Sequence, residues 1–169
     1  MYKLRGVGRE ACGVRLLGAG TILNEVLAAA DLLQTDWNIS ADVFSVTSFT
    51  ELRRDGMEAS RTSRLTPHAS RPVAWVEAQL PATGIPIVAA SDYVSSVPDL
   101  IRPWIADKFV ALGTDGFGRS DTRARLRRFF EVDRHSIALA ALAALGDRRV
   151  AEAAKRYGID PESAPPWSR

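Results

Sequence analysis

The sequence contains few of the side chains that enzymes use for covalent or metal chemistry. Its 169 residues include one cysteine, Cys12, and two histidines, His68 and His135. One cysteine cannot form an internal disulfide, and no set of cysteines and histidines has the spacing of a zinc site. The Gly-x-Ser-x-Gly pattern of a nucleophile elbow is also absent. We therefore predict no catalytic residue and no metal ligand, and we interpret both histidines as surface or capping residues.

Long apolar runs and a strong charge imbalance are absent as well. No run approaches the roughly 18 residues of a membrane span. Residues 1–10 are charged and lack the apolar core of a signal peptide. Lysine and arginine number 22 against 20 aspartates and glutamates, an excess too small to indicate nucleic-acid binding. We therefore predict a soluble, cytoplasmic protein that binds neither a membrane nor nucleic acid.

Short apolar runs alternate with amphipathic segments along the whole chain, and 46% of the residues are hydrophobic. The predicted strands are residues 14–17, 42–46, 87–90 and 109–112. The predicted helices are residues 21–34, 48–54, 72–80, 91–104 with an interruption at Pro98, 121–130, 136–145 and 148–157. Thr47 or Ser48 is predicted to cap the second of these helices and Asp55-Gly56 to end it, and Asp133 is predicted to cap the helix at 136–145. Residues 57–71 are interpreted as a polar surface loop. This alternation predicts one α/β domain, a three-layer sandwich in which helices flank a mostly parallel sheet.

The turn after the first predicted strand, Gly18-Ala19-Gly20, is compatible with dinucleotide binding because a helix begins there. Leu23 stands where the third glycine of that motif is required, and the second strand ends on Ser45-Val46 without an acidic residue. Nucleotide binding is therefore the least favoured hypothesis.

Residues 112–121, which we call the glycine loop, carry three glycines in six positions after the last predicted strand. Glycines permit positive φ angles, and Ser120 or Asp121 is predicted to cap the following helix. Asp115, Arg119 and Asp121 are expected to lie close together. A structural turn and a ligand or partner surface are both compatible with this pattern. Arginines continue to residue 128, and we interpret them as a solvated or interface helix face because acidic residues surround them.

Asp115-Gly116 is similar to the beginning of the thiamine-diphosphate magnesium motif, in which an aspartate and a downstream asparagine bind the metal. Thr114 replaces the first glycine of that motif. The only asparagines are Asn24 and Asn38, both upstream of this position. The motif is therefore absent from this polypeptide.

Four segments, residues 16–23, 42–56, 112–121 and 130–133, together resemble the homodimeric type of bacterial pyruvate dehydrogenase, the thiamine-diphosphate component of its complex. The resemblance runs to about residue 160 and covers the carboxyl-terminal, transketolase-like domain alone. It implies a linker from a missing middle domain at residues 1–12, the domain itself at 13–160 and a flexible tail at 161–169. Met1-Tyr2-Lys3-Leu4 is similar to an internal segment of the family.

The resemblance implies that this domain serves assembly and active-site support, that the missing domains hold thiamine diphosphate and magnesium, and that the isolated chain binds neither and is inactive. Implied partners are the remaining pyruvate dehydrogenase domains or subunits, a second copy of the chain and the larger complex. The candidate interface residues are Thr114, Asp115, Gly116, Phe117, Gly118, Arg119, Ser120, Asp121, Ser48, Glu51 and Arg53. A non-catalytic interaction or regulatory module derived from this domain is the alternative. At residues 62–66 the sequence lacks the aromatic and the imidazole that the family carries, so contacts made by those side chains are not expected here.

Overall fold

The computed structural model describes residues 1–6, 13–66 and 72–168. These residues contain one five-stranded sheet with the strand order β1-β3-β2-β4-β5. Its strands are β1 (Tyr2–Arg5), β2 (Val14–Gly18), β3 (Ala41–Ser45), β4 (Ile87–Ala90) and β5 (Phe109–Leu112). Neighbouring strands from β2 to β5 pair in parallel, and β1 pairs antiparallel with β3. The predicted mostly parallel sheet is confirmed, and β1 is an additional strand in the segment that we expected to be a linker.

Helices connect the parallel strands and follow the last one. They are α1 (Leu23–Trp37), α2 (Phe49–Leu65), α3 (Trp75–Gln79), α4 (Ser96–Asp99), α5 (Arg123–Phe129), α6 (Arg134–Leu145) and α7 (Val150–Arg156). Single 3-10 turns occur at Gly20–Ile22, Arg102–Trp104 and Pro166–Ser168. No helix within the described parts of the chain is long and apolar enough to span a membrane.

Each face of the sheet is covered by its own apolar core. On β2, Leu16 belongs to the core that contains the buried residues of α1 and α6, whereas Leu17 belongs to the core formed with α2 and α3. Successive residues of a strand point to opposite faces, so a strand covered on both sides is mostly apolar, and Arg15 and Asp42 are buried exceptions on β2 and β3. The predicted three-layer sandwich is confirmed.

The longest helix, α2, differs from its predicted extent. Asp55-Gly56 was expected to end the helix, but α2 continues to Leu65 and Gly56 is buried within it. A Cβ on Gly56 would lie 2.5 Å from the Trp104 ring, whose Nε1 donates a hydrogen bond to Ser60 Oγ at 2.9 Å. Glycine is therefore required by packing, and this tertiary contact overrides the local stop signal. Residues 57–65 are helical, so the predicted loop is wrong there.

Smaller differences concern helix ends. The helix predicted from Pro72 begins at Trp75, and the one predicted over 91–104 is reduced to α4 and a 3-10 turn. Asp133 caps α6 as predicted, because its Oδ1 accepts a hydrogen bond from the Ser136 amide at 2.8 Å. The interpretations of Cys12 and His68 fall outside the described residues.

Candidate functional site at the carboxyl end of the sheet

The glycine loop lies at the carboxyl end of the sheet, where Gly18, Ser45, Ala90 and Leu112 align across the four parallel strands. The turn that follows β4 runs beside it. The Thr114 amide donates to the Tyr93 carbonyl at 2.9 Å, and Asp115 Oδ1 accepts from the Ser95 amide at 3.1 Å. These bonds fix the first half of the loop to the neighbouring connection.

Two glycines of the loop are required for different reasons. A Cβ on Gly113 would overlap the backbone of Val94 and Ser95, so Gly113 permits a close approach of two chain segments. Gly116 has a φ of +125°, and a Cβ there would lie 2.8 Å from the Pro166 carbonyl oxygen. Gly116 alone among the three loop glycines has a positive φ, so the freedom that glycine permits is used there and not at Gly113 or Gly118.

The carboxyl-terminal segment supports the loop from the other side. Residues 166–168 form a 3-10 turn against Gly116, and Pro166 is buried. We predicted a flexible tail over 161–169, and its mobility stays a prediction. The contact adds a second support to the glycine loop.

The charged residues of the loop each contact a different partner. The Arg119 guanidinium lies 4.1 Å from the centre of the Phe129 ring, and Asp121 pairs with Arg125 at 3.8 Å. Among the described residues, no ion pair joins Arg119 to Asp115 or Asp121. Ser120 and Asp121 also do not cap α5. Thr122 does so, accepting from the Arg125 amide at 3.4 Å.

A cavity of about 470 Å³ separates the glycine loop and α5 from the turn that precedes α1. Its walls combine charges of both signs with apolar surface. Lining residues include Thr21, Asp92, Arg119, Arg123, Leu126 and Phe130. These side chains can bind polar and apolar groups, and they supply neither a thiol nor an imidazole. Across residues 1–6, 13–66 and 72–168, no three histidine, cysteine, aspartate or glutamate side chains are grouped so as to hold a metal ion.

Glu25 lines a neighbouring cavity together with Arg123, Arg127 and Arg134, and it was not predicted from the sequence. Its side chain is 7% exposed and accepts from Arg127 Nη1 at 2.8 Å and Arg134 Nε at 2.9 Å. Burial raises the pKa of Glu25, but hydrogen bonds from Arg134 and the charges of Arg134 and Arg127 lower the pKa by more. The net pKa of Glu25 is therefore below its ordinary value. Glu25 thereby joins α1, α5 and α6.

The sequence carried one signal for this cluster. Glu25 lies three residues after Ile22 and four before Ala29, within the buried stripe of α1. A single charged residue in such a stripe requires a partner of opposite charge. Its partners are 102 and 109 residues away along the chain, so no local pattern identifies them.

Arginines of α5 hold that helix in place. Arg128 Nη2 donates to the carbonyl oxygens of Tyr157 at 2.8 Å and Gly158 at 2.7 Å. The interpretation of the arginines as a solvated or interface face is therefore wrong for Arg127 and Arg128, which are used within the chain. Arg123 and Arg125 are exposed.

The second group of candidate residues lies at the beginning of α2, directly after β3. Ser48 Oγ accepts from the Glu51 amide at 3.1 Å, which confirms the predicted cap. The Glu51 side chain pairs with Arg54, and Arg53 is exposed. These residues do not line the cavity next to the glycine loop. Their role in an interface stays a prediction.

A family model described as "Transketolase-like TK C-terminal domain" matches residues 1–133. The chain belongs to the TK C-terminal domain family. Its curated relatives include the pyruvate dehydrogenase E1 components of Pseudomonas aeruginosa, 51% identical over 98% of this chain, and Cupriavidus necator, 47% identical over 99%. That of Escherichia coli K12 is 39% identical over 98%. The chain spans about a fifth of the length of these relatives, 20%, 20% and 19% respectively.

Solved structures give the same fold for this TK C-terminal domain. One is described as "Split gene transketolase, inactive beta4 tetramer", with a TM-score of 0.54 and 19% identity over 82% of this chain and 41% of that one. The transketolase of Leishmania mexicana has a TM-score of 0.57 and 19% identity over 86% of this chain and 18% of that one. At this identity the likeness concerns the fold alone.

The Gly18-Ala19-Gly20 turn of the TK C-terminal domain is shaped by internal packing. A Cβ on Gly18 would lie 2.9 Å from Leu23 Cα, and the Asp92 carboxylate lies beside Gly20 and within 3.4 Å of the Thr21 hydroxyl. A carboxylate beside the beginning of α1 repels a phosphate group. The local electrostatics therefore disfavour nucleotide binding.

Proposed function

We propose that this domain is the carboxyl-terminal part of a pyruvate dehydrogenase E1 that decarboxylates pyruvate on thiamine diphosphate and transfers the acetyl group to a lipoyl carrier. The observation that carries the proposal is the 51% identity to the Pseudomonas aeruginosa E1 component over 98% of this chain. The match covers nearly the whole chain and therefore includes the glycine loop and both sheet cores. It is higher than retention of the fold alone requires, since the transketolase neighbours keep the fold at 19%.

The domain's part in that enzyme is assembly and support of the active site. The carboxyl end of the sheet presents a fixed loop and a cavity whose lining includes neither cysteine nor histidine. The magnesium motif of that cofactor pairs an aspartate with a downstream asparagine, and the two asparagines of this sequence, Asn24 and Asn38, both precede Asp115. We therefore assign thiamine diphosphate and magnesium to the remaining domains and derive no chemical step from this chain's residues.

The test is reconstitution with pyruvate, thiamine diphosphate and magnesium. The purified chain should release no carbon dioxide above the rate without protein. Activity should appear when a chain carrying the other two domains is added. That second chain should be less active when this domain is left out. Pyruvate decarboxylation by the isolated chain would contradict the proposal. So would a partner chain whose activity and assembly are the same with and without this domain.

A non-catalytic interaction module derived from the domain is the second candidate. It is favoured by the exposed Phe117 on a loop that carries neither cysteine nor histidine. This candidate expects a homodimer, or binding to an intact pyruvate dehydrogenase without a gain in turnover, both measurable by light scattering. Strictly monomeric behaviour with no binding to the dehydrogenase would exclude it. For nucleotide binding at the Gly18–Gly20 turn, an unchanged melting temperature at saturating dinucleotide would end the hypothesis.

A further inference from the structure

Three exposed aromatic residues lie on segments that contact each other at the carboxyl end of the sheet. We call Tyr93, Phe117 and Trp167 the aromatic patch, and their exposed fractions are 64%, 83% and 63%. The segments are joined by the bond from Thr114 to Tyr93 and by the approach of Gly116 to Pro166 and Trp167. Exposed large apolar side chains beside charged ones are typical of interaction sites, and aromatic residues dominate the binding energy of interfaces.

The segments that carry the patch are held in place before any partner arrives. Hydrogen bonds fix Thr114 and Asp115, and Gly116 lies against the buried Pro166 turn. Ordering a loop on binding costs free energy, and a loop that is already fixed avoids that cost. The construction is therefore suited to docking.

The direction of β1 shows at which end of the sheet an upstream polypeptide joins this domain. Because β1 is antiparallel to β3, Tyr2 pairs with Ser45, the last residue of β3. A polypeptide joined ahead of Met1 enters at the carboxyl end of the sheet, the same end that carries the glycine loop, and does so at the edge opposite to β5. The Pseudomonas aeruginosa relative has about four-fifths of its length outside the matched segment, since this chain covers 20% of it.

We propose that the aromatic patch and the adjoining cavity are the docking surface for the upstream part of the E1 polypeptide. Phe117 and Trp167 are the apolar anchors, and the cavity walls with Asp92, Arg119 and Arg123 receive polar side chains of the upstream domain. This inference rests on the proposed function. It adds to that function the docking surface, its two apolar anchors and the upstream domains as the partner.

The test grafts this chain into the Pseudomonas aeruginosa E1 component in place of the matching segment and compares the graft with the isolated chain by carbene footprinting. Labelling of Phe117 and Trp167 should fall in the graft toward that of Phe44, a core residue 4% exposed. Leu65 is the matched control, because it is 64% exposed and ends α2, the helix that leads away from the carboxyl end of the sheet. Its labelling should be the same in both proteins.

Added as a separate chain to the upstream part of the relative, the Phe117→Ala variant should bind about tenfold more weakly than the unmodified chain, the size of a moderate hot spot, whereas Leu65→Ala should bind normally. An active graft in which Phe117 is labelled as fast as in the isolated chain would show that Phe117 is not part of a docking surface. It would leave the proposed function intact. A folded, assembled graft with protected Phe117 and no turnover would support the docking surface and contradict the proposed function.

Protection of Phe117 that rises with concentration in the isolated chain would identify a second copy as the occupant and overturn the proposal. If the graft does not fold, co-expressing this chain with the upstream four-fifths of the relative gives the same comparison, and unprotected Phe117 there overturns the proposal.

Discussion

The two helices that follow the glycine loop, α5 and α6, are neighbours in sequence and are held by different forces. Five of the 12 residues of α6 are buried, and they pack against α1 and the sheet. None of the seven residues of α5 is buried. It is held by Arg127 on Glu25, Arg128 on two carbonyl oxygens and partial packing of Leu126 and Phe130.

The contrast separates the part of the molecule that makes the fold from the part that we propose to face a partner. Apolar burial stabilises α6 and has little directional preference. Charged hydrogen bonds demand a particular geometry, and at α5 they place the end of the glycine loop at a defined position. We expect substitutions in α6 to cost unfolding free energy and substitutions on the glycine loop to cost assembly.

The largest loss of stability should follow Leu142→Ala in α6. Leu142 is fully buried, and leucine-to-alanine changes in cores cost about 2 to 5 kcal/mol. Leu139→Ala on the same helix is the control, because Leu139 is partly buried and lines a surface cavity. Urea unfolding of both variants measures the difference. Equal losses would break the distinction between the core face and the outer face of α6.

Glu25→Gln should have the next largest effect. Glutamine keeps the volume but removes the charge that Arg127 and Arg134 face, and losing a hydrogen-bonded charged partner costs about 1 to 3 kcal/mol. Glu58→Gln is the control, since Glu58 is exposed on α2. Urea unfolding at neutral pH gives both values. A loss at Glu25 no larger than at Glu58 would show that α5 does not need this cluster.

Lowering the pH should reduce the difference in unfolding free energy between the wild type and Glu25→Gln. The pKa of Glu25 is lower in the folded state than the ordinary 4.5. A lowered pKa means that Glu25 contributes its full stability above about pH 4.5 and loses it as the pH falls through the folded value. Asp147, whose pKa Arg149 lowers from 3.8 to about 2, loses its contribution in both proteins alike. A difference that stays constant from pH 6 to pH 3 would contradict this assignment.

Gly116→Ala should destabilise the glycine loop by about 1 to 2 kcal/mol, because alanine is strained at positive φ and its Cβ would meet Pro166. Gly118→Ala is a matched control two residues away, with no atom within 4 Å of its Cβ and no positive φ. Thermal unfolding should separate the two variants. If both behave alike, the carboxyl-terminal turn does not support the loop.

The parts of the fold that could be predicted from the sequence depend on local patterns. β4 and β5 were predicted at their observed bounds, because a strand buried on both faces is an uninterrupted apolar run. β1 was missed since its residues, Tyr2–Arg5, are all exposed and two of them are charged. Its pairing depends on the free edge of β3, which the local sequence does not reveal.

The site was predictable in position and less so in its contacts. The carboxyl end of a parallel sheet is where loops gather, so the location of the glycine loop followed from the strand pattern. The neighbours of Gly116 and Glu25 could not be predicted, because Pro166 and Arg134 are far along the chain. The cap of α5 was misplaced by one or two residues, since Ser120, Asp121 and Thr122 are all suitable capping side chains.

The smallest effect on stability should come from Arg119→Ala. Arg119 is exposed and lies over Phe129, and an exposed cation–π contact contributes about 0.5 to 1 kcal/mol. Arg123→Ala is the control, since Arg123 is exposed on α5 and lines the same cavity. Chemical unfolding should show a slight loss for Arg119 alone. A loss above that of Glu25→Gln would place the loop among the elements that stabilise the fold.

The most direct test of the account is Phe117→Ala measured in two settings, as the isolated chain and against the upstream E1 chain. Phe117 is 83% exposed, so the isolated variant should unfold within about 0.5 kcal/mol of the wild type. Its affinity for the upstream chain, measured by sedimentation, should fall about tenfold. A variant that loses stability in isolation and keeps full affinity would contradict the separation between fold and docking surface.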